Sequence, residues 1–361
     1  MTYPICSRCA SKFIVCEYKG DKGAFKAVEA AESSSAFNSE SVPDLLSITD
    51  QTMLLEETTP FPGELQLDNA IDDSFFEAFD NRQLQDNAQY FSNLFPTVGV
   101  MDRERIMFIV KQLRSYPEKL FRNGRTAFIH PQAYQPAMSP VLQDACCAAA
   151  LYSGKNEKNE AIVWDIISTK ANQLLEPRAS WTVSEHLSHL QALIVFQILQ
   201  IFDGDIRQRA EAEQHEDTLT QWTDRLLQRT GVNVSAGNVI PSSWESWVFE
   251  EVVCRTIVIS RMVQAMFSIL KHGFCTLVGA VTEMSFTAQK ALWEAPSAQH
   301  FQKACSEKNR FYALRMNLDE ILSSATIDDM DDMGMLMLTT YKGVDGVNEW
   351  IMRSGCTALI E

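Results

Sequence analysis

The chain has 361 residues, 46% of them hydrophobic and 22% charged, proportions that give a globular protein room for one large or two medium cores. Its formal charge of −16 sets up a field that repels nucleic acid and anionic membrane, so any contact with DNA has to come from a local basic patch. The nine cysteines are an odd count, no secretory leader is recognisable, and the apolar stretch 187–202 is too short and too rich in Ser, His and Gln to span a bilayer. These features predict a reducing compartment, nucleus or cytosol.

Residues 1–30 are mildly basic and crowd Cys6, Cys9 and Cys16 into the spacing C-x2-C-x6-C. Two thiolates two residues apart can close on one tetrahedral zinc, and six further residues return the chain to supply a third. Arg8 and Lys12 add the positive charge expected of a zinc loop beside phosphate. On the residues alone, three unrelated thiols are the other reading. Residues 31–100 hold thirteen acids and a single base, Arg82, among many Ser, Asn and Pro, and this composition predicts a linker that buries too little to fold. Within it, Asp72–Asp80 sets Phe75, Phe76 and Phe79 among four carboxylates, the composition of a coactivator-binding activation segment or of plain linker.

From residue 101 the pattern is helical. Helices are expected over 102–115, over 141–152 behind Ser139-Pro140 with Gly154 as the stop, and over 157–176. Thr182 and Glu185 form a capping box opening a run to Phe202 that is apolar nearly all round, as befits the centre of a bundle. Gly204 ends that run and Asp205 caps the next, expected over 206–229. Ser242 with Glu245 reads as a second box, opening a helix that stops at Gly273. Further helices are expected over 286–294, 297–325 and 331–341. Sustained period-two alternation and internal repeats are both missing, so the expected fold is all-α: a multi-helix domain over 101–361, preceded by a zinc-cluster segment over 1–20 and an acidic linker over 21–100. His186 and His189 could share a metal but lack a third ligand and read as ordinary helix residues. Cys146 and Cys147, among alanines, read as small core residues, and Asp328, Asp329, Asp331 and Asp332 as a solvated helix start. With no nucleophile elbow, phosphate-cradling glycine loop or H-E-x-x-H, nothing suggests an enzyme.

The string from Pro4 to Tyr18 resembles the second half of a fungal Zn2Cys6 binuclear cluster. Blocks downstream resemble the regulatory domain of the same transcription factor family: Val141–Ala145, His189–Glu213, Trp244-Glu245-Ser246-Trp247 ahead of Arg255-Thr256, Ala291–Ala295 and Gly346–Trp350. One arginine expected by the family's pattern is Cys254 here. In that family six cysteines hold two zinc ions through eight zinc–sulfur bonds. The resemblance makes Cys6 the bridging fourth, Cys9 the fifth and Cys16 the sixth, with Arg8 and Lys12 on the DNA-binding side. The first half of the cluster is not in the sequence, and three thiolates cannot supply eight bonds. The expectation is therefore at most one zinc per chain, and a reading frame that extends upstream of Met1. What the resemblance implies is a nuclear regulator of RNA polymerase II genes, specific to a pathway; its Phe-Asp-Gly-Asp block, residues 202–205, points to a secondary-metabolite cluster. DNA, a dimer partner and a coactivator are the implied partners. A second reading is a protein that does not bind DNA and modulates intact regulators by pairing with them.

Overall fold

The computed structural model describes residues 101–357 apart from 176–179, 232–242, 274, 276–279, 282 and 316. The zinc-cluster segment 1–20 and the acidic linker 21–100 therefore lie outside the described residues. Among those described the fold is all-α. Its helices are α1 (Arg103–Asn123), α2 (Pro140–Ser153), α3 (Glu160–Leu174), α4 (Val183–Phe202), α5 (Ile206–Gln214), α6 (Glu216–Thr230), α7 (Trp244–His272), α8 (Lys290–Trp293), α9 (Ala298–Glu307), α10 (Asp319–Ser324) and α11 (Asp332–Thr357). A two-residue antiparallel ladder, β1 (Phe286–Thr287) with β2 (Tyr312–Ala313), is set among them, pairing Phe286 with Ala313 and Thr287 with Tyr312.

Helix α4 is the axis. Its predicted capping box is present in both halves, and every residue from His186 to Phe202 is buried. Around it pack α1, α2, α3, α5, α6 and α7. Leu190, Leu193, Ile194, Ile198 and Leu199 are enclosed completely or nearly so, and each such side chain contributes about 1.5–3 kcal/mol on removal from water. The polar residues that make this run unlike a membrane span make hydrogen bonds within the bundle. Ser188 donates back to the Ser184 carbonyl at 3.0 Å, Gln197 to Ala212 O at 3.2 Å, and Gln200 to Glu211 at 3.3 Å. Helix α7 is long and apolar enough to cross a bilayer by length and composition, yet 89% of its most apolar window is enclosed by protein, as in a core helix.

Several boundaries differ from expectation for identifiable reasons. Helix α1 continues past residue 115 and through Pro117 to a left-handed Gly124 cap, because Tyr116, Pro117 and Leu120 are buried against the core and this outweighs the lost hydrogen bond. The helix expected over 206–229 breaks at His215 into α5 and α6. Gly204 admits no side chain, since a Cβ there would strike the Gln200 carbonyl, and Asp205 caps α5 in a box with Gln208. Ser139 and Pro140 occupy the predicted cap and first helical positions, although the serine hydroxyl makes no capping bond. The helix expected over 286–294 opens instead as the extended β1, and the one expected over 297–325 is interrupted by β2, with Phe311 and Arg315 in left-handed conformations. Cys147 is exposed and Cys146 half-buried; the core face of α2 is formed by Leu142, Ala145, Ala148 and Ala149 instead.

Helix α11 runs well beyond the expected 341 and breaks at Gly343, whose φ of 81° is left-handed. The break frees carbonyls of the preceding turn, and the buried Arg105 from α1 donates to one of them, Thr340 O, at 3.2 Å. Lys119 of α1 pairs with Asp332 at the start of α11 at 2.5 Å, so α1 ties together both parts of the first α11 segment. A Cβ on residue 343 would lie 2.6 Å from the Arg105 guanidinium. Gly343→Ala is accordingly expected to lower stability by roughly 1–3 kcal/mol, through left-handed strain and displacement of Arg105. Urea denaturation measures this, and a loss below about 0.5 kcal/mol would refute the account.

Candidate functional site

Helix α7 is opened by Ser243, whose hydroxyl accepts the Ser246 amide at 3.2 Å; the expected cap at Ser242 is thus displaced by one residue. Spacings of three and four then bring Trp244, Trp247, Glu251 and Arg255 onto one inward face. Arg255 is completely enclosed. Its Nε donates to Glu251 Oε1 at 2.9 Å, and a terminal nitrogen lies 2.6 Å from Asp331 Oδ2. Two further donors go to Ala127 O at 3.0 Å and Thr287 O at 2.6 Å, and the guanidinium sits 3.8 Å from the centre of the Trp293 ring. Glu251 Oε1 also accepts the Thr287 amide at 2.8 Å, while Asp331 Oδ1 accepts the Gly334 amide at 2.8 Å at the start of α11.

This corrects the reading of the aspartate run. Asp328 is exposed, but Asp331 is 4% exposed and serves as a core counter-ion. Asp329, half-buried, accepts from Thr326 and Gln289. One guanidinium here faces two buried carboxylates. Burial pushes Asp331 up to about 6 even with Arg255 beside it, while Arg255 is held above its usual value because Asp331 and Glu251 outweigh the burial that would lower it.

Two aromatic clusters flank this hub. His130 uses both ring nitrogens: Nε2 lies 3.1 Å from the Trp293 carbonyl, to which it donates, and Nδ1 accepts the Gln132 amide at 3.2 Å, a pattern only the neutral ring can make. It meets Trp293 and Trp244 edge-on at 4.9 and 6.4 Å. Burial, with Arg255 and Arg125 nearby, brings His130 down to about 4 against the raising effect of the Trp293 bond. In the second cluster, Trp181 stacks on His189 at 4.3 Å and meets Trp222 edge-on at 4.8 Å. His189 Nδ1 bonds the Glu185 carbonyl at 2.7 Å, and Arg229 lies 3.4 Å from His186 Nδ1. The i, i+3 histidine pair is therefore engaged in packing α4 against α6. Between the clusters, Gln191 donates to Phe128 O at 2.8 Å and Thr256 Oγ1 at 3.0 Å, and accepts from the Tyr134 hydroxyl.

The predicted zinc ligands Cys6, Cys9 and Cys16, with Arg8 and Lys12, lie outside the described residues. Among the described residues there is no group of three or more His, Cys, Asp or Glu placed to hold a metal ion. What the described site does is fasten. Its cation is sealed from solvent, its His130 ring is held neutral by the bonds at both nitrogens, and its carboxylates are spent on an arginine and on backbone amides. Asp331 and Trp293 were not legible as members of it. The signal available was that Asp331 stands between the apolar residues Met330 and Met333, an awkward place for a solvated acid.

Replacing the cation should expose the cost of the pair. Arg255→Leu leaves two carboxylates buried without a partner and is expected to lose about 3–5 kcal/mol, while Asp331→Asn loses less than half as much. Equal losses for the two variants in chemical denaturation would contradict the assignment. For His130 the folded value near 4 lies below the unfolded value near 6.5. Its contribution is full above pH 6.5 and is lost as pH falls toward 4, with about 1.4 kcal/mol gone at pH 5.5. The stability gap between the parent and His130→Asn should narrow by that amount between pH 7.5 and 5.5, and a gap that stays constant would rule out a neutral buried ring.

No family model matches the chain, and no solved structure matches it. It is similar to a transcription factor of Penicillium aethiopicum, gsfR2, at 32% identity over 298 residues, which covers 80% of this chain and 70% of that protein. A span of that size exceeds the stretch from residue 101 to the end, so the similarity reaches into the first hundred residues. The protein is a transcription regulator and not an enzyme. On this breadth of similarity, the chain belongs to the family of fungal transcription factors that includes gsfR2.

Proposed function

We propose that the chain acts in the nucleus as a pathway-specific regulator of RNA polymerase II genes, contacting DNA through a zinc cluster to which Cys6, Cys9 and Cys16 contribute. The observation that carries this reading is the breadth of similarity to a transcription factor, combined with the C-x2-C-x6-C spacing inside the similar chain. The donor set fits one zinc with a fourth ligand supplied from elsewhere; a metal bound there contributes folding energy to the segment. Arg8 and Lys12 are the cations beside the cysteines that would neutralise phosphate. The Phe202-Asp203-Gly204-Asp205 block supports assignment of the target genes to a secondary-metabolite cluster. The net charge of −16, which repels nucleic acid, favours a second reading, in which the chain binds no DNA itself and modulates intact regulators by pairing with them, its acidic segment engaging a coactivator.

Metal analysis and mobility shifts on the purified chain separate the two. The first reading expects zinc at no more than one ion per chain, lost in Cys9→Ser, together with salt-sensitive retention of guanine-rich duplexes. Arg8→Ala should then reduce the logarithmic salt slope by about 0.9. Two ions per chain would contradict the donor-set argument, and metal-free protein that retains no DNA would leave the pairing reading.

A further inference from the structure

Between residues 103 and 125 the chain places seven bases against two acids, the reverse of the balance in the rest of this acidic protein. Two of the bases, Arg105 and Lys119, turn to α11 as described above. Of the other five, Arg103, Lys111 and Arg122 recur at or close to helical spacing on the side of α1 away from the core, Arg125 follows just past the Gly124 cap, and Arg114 lies among them but reaches to the nearly buried Asp203; none of the five is buried. Arg122 also contacts Glu118 at 2.6 Å, and Arg103 and Lys111 have contacts of their own, so any acid docked on this stripe is a further partner to cations already engaged at the surface. Apolar surface is interleaved with the charge. Met107 is half-buried on the same stripe, and Phe121 is half-exposed with the Arg122 guanidinium 5.2 Å from the centre of its ring. A cationic row alternating with apolar side chains suits a segment of acids alternating with aromatics.

Such a segment lies in the same chain. Residues 72–80 carry Asp72, Asp73, Glu77 and Asp80 around Phe75, Phe76 and Phe79, and as a helical turn the three rings share one face. Residues 81–101 tether them to the start of α1. Fully extended, that tether reaches about 70 Å, and α1 is about 31 Å long, so the whole stripe is within range. Short tethers give effective concentrations around millimolar, so an intrinsically weak contact suffices to keep the surface covered. We propose that the outward face of α1 is a docking surface for the chain's own residues 72–80, and that a coactivator competing for those phenylalanines has first to lift them off it.

The test uses the full chain with a benzophenone amino acid at position 76, irradiated and mapped by mass spectrometry. Crosslinks are expected within residues 103–125, independent of protein concentration. They should fall at least fivefold in Asp72→Lys/Asp73→Lys/Glu77→Lys, which alters nothing in the helical domain. Adding Lys111→Glu/Arg122→Glu/Arg125→Glu to that variant should restore at least half of the yield. Crosslinks spread evenly over the domain, crosslinks formed only between differently labelled copies, or a yield indifferent to charge reversal would each overturn the proposal.

Discussion

A single guanidinium, that of Arg255, holds two carboxylates inside the protein, and much of the C-terminal half is arranged around that demand. An ion taken out of water loses several kcal/mol of solvation even after the protein relaxes, and only close counter-charges and fully used donors recover it. Glu251 lies one turn back on the same helix and comes with it. Asp331 arrives from about 75 residues away and has to be brought. The peptide around Thr287 completes the arrangement by presenting its carbonyl to Arg255 and its amide to Glu251, which requires an extended backbone there. The small ladder β1–β2 is thus a consequence of a charge pair in α7, and so is the position of Trp293 beneath the guanidinium.

What could be read from the sequence follows from the range of the interactions involved. The Thr182–Glu185 box, the glycine stops and the apolar run of α4 depend on neighbours within a few residues and stand where the pattern puts them, while the box expected at Ser242 gives way to a cap one residue on, at Ser243. Asp331, the strand at Phe286 and the break at Gly343 depend on partners far along the chain: Arg255, Glu251 and Arg105. A local reading of 328–332 sees only acids before a helix and assigns them to solvent. It fails at the one aspartate that belongs to the core. Resemblance located the Trp-Glu-Ser-Trp string and Arg255-Thr256 together, but not what unites them, which is the placing of four side chains on one inward face.

The polar groups buried elsewhere specify which helices meet. Thr223 and Ser260 share a 2.6 Å bond between α6 and α7, with Thr220 and Gln264 bonded at 3.0 Å beside them, and Arg261 paired with Asp224 at the edge. Gln191 fixes α4 against the loop carrying Phe128 and against Thr256 of α7. Apolar contacts alone would let these helices slide by a turn at modest cost; each such slip would strand a buried donor or acceptor, costing about 1–3 kcal/mol. The register of the bundle is therefore held by side chains that contribute little net stability.

Helix α1 shows how one element can carry both kinds of charge. Its inward arginine, Arg105, is spent on the broken end of α11, and Lys119 on the start of the same helix. Arg114 reaches to the nearly buried Asp203, while the exposed or half-buried bases on the outer side are concentrated on the first helix after the most acidic stretch of the chain. A cation placed there experiences a high local concentration of carboxylate through the tether, while bulk DNA meets a protein of net negative charge. The field disfavours any anion, and only the tether offsets it, so α1 is biased toward an intramolecular acidic partner over free DNA, and phosphate recognition is left to the basic residues that flank the N-terminal cysteines.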